Sequence, residues 1–163
     1  MADLLTHVLV PFVLLTVAGW RVDWLDRRWT VLSMGGAAIP DLVKLNLVLD
    51  ASTVGERVGL PLTYAPFSSL GGVLLVAGVI TLAFERRHWR RVYGLLVGGG
   101  LSALLLDGMR VYADGHASAW LYPFTYWRPP TPSLYVSSDP AVLVVTLAIA
   151  AIVFVVDERR TRS

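Results

Sequence analysis

The chain contains no cysteine, so disulfides, iron–sulfur clusters and cysteine zinc sites are excluded and the redox compartment leaves no trace. It is also poor in charge. Only 16% of its 163 residues are Asp, Glu, Lys or Arg, against about 25% in a soluble globular domain. That is too little charge for a surface wetted on all sides. No internal repeat and no low-complexity tract interrupts it, and its length suits a single domain over 1–163. The net charge of +2 and the pI of 9.2 are basic. A continuous basic stripe interleaved with stacking aromatics is missing, however, which argues against nucleic acid as a partner. The N-terminal segment carries Asp3 and no Lys or Arg. A secretory leader has the opposite charge there, so a retained first helix is expected.

What the chain has in abundance is apolar sequence: 55% of residues are hydrophobic and the mean hydropathy is +0.61. The apolar residues fall in five blocks, at 4–20, 29–49, 67–84, 92–106 and 141–156. Long blocks rather than helical stripes suit lipid-facing helices. The expectation is therefore an all-α polytopic membrane bundle of about five transmembrane helices. Spanning takes about 20 apolar residues, and several blocks reach that length only with interfacial Trp, Tyr and Arg at their flanks. Gly35-Gly36 and Pro40-Asp41 predict a break in the second block, of a kind tolerated where it lines a cavity.

Arginine placement supplies a direction. With five spans, Arg21, Arg27 and Arg28, then Arg86, Arg87, Arg90 and Arg91, then Arg159, Arg160 and Arg162 fall on one side. These are ten of the 14 basic residues. The positive-inside rule then puts the N-terminus outside and the C-terminus in the cytoplasm of a multi-pass cell-membrane protein. Two outer loops follow, near 50–66 and 108–140. The second is dense in Pro, Tyr and Trp, which predicts an ordered cap at the interface and not a floppy linker.

Ionisable groups near membrane spans are costly unless paired or hydrated, and in this topology they gather toward the outer leaflet. Asp3 and His7 share a helix face at i,i+4. Asp41 follows the helix break, with Lys44 one turn on. Ser68 and Ser69 open the third block, Asp107 closes the fourth, and Ser138 and Asp139 lead into the fifth. Each has a structural reading beside the functional one. Asp3 fits a helix N-terminal charge, His7 a backbone hydrogen bond, and Asp41 a pair with Lys44. Ser68-Ser69 and Ser138-Asp139-Pro140 fit helix caps. His88 lies among arginines, and His116 lies in a loop. Gly94 and Gly98 form a GxxxG pattern that predicts close packing of the fourth helix.

Leu5-Thr6-His7, Ala38-Ile39-Pro40-Asp41-Leu42, the run from Ser102 to Asp107, and Tyr126-Trp127-Arg128-Pro129-Pro130 before Leu134-Tyr135-Val136 occur in a telling order. Together they resemble the YdjM-like membrane-bound metal-dependent hydrolases, a prokaryotic family. The resemblance covers essentially the whole chain. It implies phosphoester hydrolysis near a lipid surface, with a lipid or phosphoester as substrate. It also implies a divalent metal (Zn, or Mg or Ca) on His7, Asp41 and Asp107, which match the family pattern. Two positions depart from it. Ser68 stands where the family opens its third helix with His, and Ala103 and Leu104 stand where the fourth helix would carry His.

On the hydrolase reading, Asp41 and Asp107 serve a metal-activated water, which Ser68 or Asp139 orients while Lys44 and Arg128 hold phosphate. One nitrogen and two carboxylates are the minimum for such a site, and oxygen ligands leave Mg or Ca open. On the competing reading the catalysis has lapsed and the outer pocket binds lipid or a membrane partner. A transporter is disfavoured by the absence of repeat symmetry.

Overall fold

The computed structural model of the chain describes residues 2–136 and 139–162, the first two of these without their side chains. The expectations for the Asp3 side chain and for Ser138 fall outside that description. Six α-helices form among the described residues: α1 (Ala2–Gly19), α2 (Arg27–Ala37), α3 (Ala51–Val58), α4 (Leu70–Thr81), α5 (Trp89–Met109) and α6 (Pro140–Arg162). Short 3₁₀ segments run over Pro40–Leu47, Ala65–Ser68 and Arg86–His88. No β-strand forms among the described residues, so the fold is all-α.

The caps follow local chemistry. Asp26 accepts from the amides of Arg28 and Trp29 to start α2, and Asp50 accepts from the Thr53 amide to start α3. Ser69 accepts from Gly72 N at the head of α4, and Asp139 accepts from Ala141 N just before Pro140 opens α6. Helix α3 lies inside the 50–66 segment that the apolar pattern reads as loop. Its Asp cap and its terminal Gly59, at φ 72°, are the signals that mark it. The second apolar block does break where Pro40 follows α2, and the chain continues in a 3₁₀ segment.

Five of the helices run between two shared ends. At one end α1 finishes, α2 begins and α6 finishes: Trp20 Nε1 donates to Asp157, and Arg27 pairs with Asp157 and Glu158. The α4–α5 turn joins this end through Arg91 over Trp24 and His88 edge-on to Trp29. The ten arginines singled out by the sequence gather here. The opposite end collects the N-terminus of α1, the 3₁₀ segment after α2, the head of α4 and the C-terminus of α5.

Helix α5 is the hub. Its buried positions, Val92, Leu95, Leu96, Gly99, Gly100, Ala103, Leu104, Asp107 and Gly108, recur at three- and four-residue spacing along one face. That face meets α2, α4 and α1. Contact with α2 is backbone to backbone, since an added Cβ on Gly36 would overlap Leu96 O and one on Gly99 would overlap Ser33 O. The close-packing glycines are therefore not Gly94 and Gly98, which have open space where a Cβ would go. The close packing that the pattern predicts for this helix is present, on the face of Gly99 and Gly100.

Two helices are long and apolar enough to cross a membrane, the 86–109 stretch containing α5 and the 140–162 helix α6. Helix α6 spans about 34 Å at 1.5 Å per residue, and only 11% of its most apolar window is buried by the rest of the chain. Helices α1 and α4 are apolar but shorter, and α2 has only 11 residues.

Replacing Gly36 or Gly99 by Ala should cost about 1–3 kcal/mol by wedging α2 from α5. The same change at Gly94 or Gly98 should leave the fold intact or stabilise it by up to about 1 kcal/mol through helix propensity. Denaturation of the four variants in mixed micelles, followed by circular dichroism, separates the two faces. Equal losses at all four sites would contradict this packing.

Candidate functional site

His7 lies one turn before Pro11 in α1, and a proline there cannot donate the amide that would ordinarily bond the His7 carbonyl. The His7 side chain is fully buried. Asp107 reaches it from the last turn of α5, on the same buried stripe as the glycines. Asp41 reaches it from the start of the 3₁₀ segment, where Pro40 has turned the chain out of α2. The three residues that match the family pattern thus come together from three elements.

Their arrangement is linear. His7 Nδ1 stands 3.6 Å from Asp41 Oδ2, and Nε2 stands 3.5 Å from Asp107 Oδ1. Both gaps exceed a direct N–H···O hydrogen bond. Each carboxylate has a cation on its other side. Lys44 Nζ lies 2.5 Å from Asp41 Oδ1, and Arg110 lies 3.2 Å from Asp107 Oδ1. The Arg110 guanidinium also lies 4.6 Å from the centre of the Tyr112 ring. The result is a row, Lys44–Asp41–His7–Asp107–Arg110, running from a half-exposed cation through a buried core to a second cation.

Among the described side chains two cations stand beside two carboxylates, and the carboxylates approach opposite ring nitrogens. A single ion bound through one imidazole nitrogen would meet one carboxylate and face competition from the cation already there. Among the described side chains, the donor set offers a single ion one imidazole nitrogen and one carboxylate. No group of three or more His, Asp or Glu side chains suited to holding a metal occurs among the described residues. Ala103, where the family pattern has His, lies fully buried on the Asp107 stripe one turn earlier.

Other candidates are engaged elsewhere. Ser68 donates to the Ala65 carbonyl and lines a cavity of about 300 Å³ that His7, Asp41 and Asp107 do not line. Asp139 is the α6 cap. Arg128 is a strap of the 110–136 segment: it donates to the carbonyls of His116 and Ala117 and pairs with Asp114. That guanidinium, with the His116 amide, holds the Asp114 carboxyl below the usual carboxylate range. His116 contacts Asp114 O through Nδ1 within the same loop.

The 110–136 segment is an ordered cap. Val111 N and Leu134 N bond to Tyr135 O and Met109 O, and Ala117 N bonds to Pro129 O. The Tyr135 hydroxyl donates to the Leu106 carbonyl at the end of α5. Leu70 N and Gly71 N, at the head of α4, donate to the carbonyls of Trp120 and Tyr122. Sequence reasoning missed Arg110 as a site residue. Its place three residues after Asp107, across the last turn of a helix, was the available signal.

Comparison with family models, with curated proteins and with solved structures finds no match to the chain.

Proposed function

We propose that the chain is a multi-pass membrane protein that binds lipid at its Asp–His–Asp end and has given up metal-dependent hydrolysis. One observation carries this reading: each carboxylate beside His7 has its own internal cation, Lys44 or Arg110. On the hydrolase pattern that positive charge would come from a metal. Here the protein supplies it from side chains, and the histidines expected at positions 68 and 103 or 104 are Ser, Ala and Leu.

The membrane part rests on α6. A helix of 23 residues with mean hydropathy 2.6 and so little of its surface covered needs lipid around it. The five helices α1, α2, α4, α5 and α6 share two ends, so all five are read as passes. The short ones are completed by the 3₁₀ segments and by interfacial side chains. The ten-arginine end faces the cytoplasm and the His7 end faces outward. The fold is read as that of the YdjM-like hydrolases, in a lapsed member. The hydrolase reading keeps one point in its favour: His7, Asp41 and Asp107 do meet.

Metal analysis of the purified, folded chain separates the two readings. The lapsed reading predicts no stoichiometric divalent metal, and none regained by His7→Ala or Asp107→Ala. A full equivalent of Zn, Mg or Ca that both variants lose would restore the hydrolase. Orientation has its own test, made clean by the absence of native cysteine. A single cysteine at Thr125 should react with a membrane-impermeant maleimide on intact cells; reaction only after permeabilisation would reverse the topology.

A further inference from the structure

At the arginine end, a cavity of about 750 Å³ is lined by Leu14, Val17 and Ala18 of α1, by Trp20 and Arg21 just past it, and by Arg160 of α6. Leu14, Val17, Ala18 and Arg21 follow at i, i+3, i+4 and i+7, the spacing of one helix face. The Arg21 amide bonds to Ala18 O, so the turn after Gly19 keeps Arg21 close to that register. Leu14 and Val17 are 58% and 40% exposed. The face is thus an open apolar trough that ends on a cation.

Trp20 is held by α6 at its edge and on its face. Its Nε1 donates to Asp157, and the Arg160 guanidinium, three residues on, lies over its ring, 4.6 Å from the centre. A guanidinium carries five N–H donors in its plane, so one stacked on a ring still presents donors along its edge. Arg21 is exposed, and its side chain makes no hydrogen bond or ion pair among the described residues.

Charge is sorted at this end. The carboxylates of Asp23, Asp26 and Asp157 line a separate cavity of about 440 Å³, together with Arg27 and Arg28. No carboxylate lines the cavity of Arg21 and Arg160. Cations are favoured at helix C-termini whatever they bind. That preference does not account for two arginines on one carboxylate-free cavity at the foot of an apolar trough.

We infer that this cavity seats an anionic phospholipid of the cytoplasmic leaflet, its phosphate against Arg21 and Arg160 and the start of an acyl chain along Leu14 and Val17. Trp20 belongs at the headgroup level, where indole rings are enriched, and basic pockets between cytoplasmic helix ends take such headgroups. The inference rests on the membrane reading above. It involves neither the His7 end nor a metal, so the metal analysis and the lipid test fail independently.

The test is lipid retention by the full chain, released from nanodiscs holding equal phosphatidylglycerol and phosphatidylcholine and read by native mass spectrometry. Phosphatidylglycerol should be preferred about twentyfold. Arg21→Gln and Arg160→Gln should each cut that preference about fivefold, the usual weight of one basic residue at a membrane surface. Arg160→Gln also unstacks Trp20, whereas Arg21→Gln breaks no contact and should leave thermal unfolding unchanged. Leu14→Trp, which fills the trough, should weaken phosphatidylglycerol retention without altering charge. Arg90→Gln, at the same end but outside the cavity, should retain the parent preference. Equal retention of the two lipids would overturn the inference. So would an Arg90→Gln loss as large as that of Arg21→Gln, since the attraction would then belong to the net charge of the whole end. Displacement of the retained lipid by millimolar inorganic phosphate would assign the cavity to a soluble anion and overturn the lipid assignment. A chain that is monodisperse without detergent would overturn the membrane reading instead.

Discussion

A buried imidazole flanked by two carboxylates is the constraint around which the His7 end of this bundle is organised. Removing an ionised carboxylate from water costs several kcal/mol unless cations and hydrogen bonds compensate. Asp41 and Asp107 must therefore each be met, and Lys44 and Arg110 meet them. The requirement ties together the start of α1, the 3₁₀ segment after α2 and the last turn of α5. Lys44 is three residues from Asp41, and Arg110 three from Asp107, so each element brings its own counter-charge. The imidazole lies between the two pairs.

Close packing lets those elements converge. Gly36 and Gly99 allow α2 and α5 to touch through their backbones, which sets where α2 ends and so where Pro40 delivers Asp41. Further along the same face of α5, Gly108 makes room for the Trp120 ring. The cap then closes over the end of α5, with Tyr135 on the Leu106 carbonyl and the Trp120 and Tyr122 carbonyls on the head of α4.

Much of the arrangement was legible in the sequence, for reasons that are physical. His7 and Asp107 sit at ends of apolar blocks and Asp41 at the break in the second, and antiparallel blocks bring these levels together, so their convergence could be read from order. The Asp41–Lys44 pair could be read from spacing, and the helix break from Pro40. Arg110 was hidden because a basic residue at a helix end also serves topology, and nothing local tells the two apart. Gly94 and Gly98 drew attention over Gly99 because a spacing motif does not reveal which face of a nearly all-apolar helix is buried. Ser68 was placed by its position at the head of the third block and Arg128 as a phosphate-holding cation, and their hydrogen bonds lie in a turn and a loop strap that no pattern of residue types encodes. Helix α3 was missed because its eight residues lack an apolar block, although Asp50 and Gly59 bracket it.

The central claim is that Arg110 does for Asp107 what a metal would otherwise do. A double-mutant cycle of Arg110→Gln and Asp107→Asn, read by unfolding of the purified protein in micelles, tests it most directly. Arg110→Gln alone should cost about 2 kcal/mol, because it leaves a buried carboxylate without its cation. Adding Asp107→Asn should recover much of that loss. Strictly additive costs, or an Arg110→Gln variant as stable as the parent, would contradict the account.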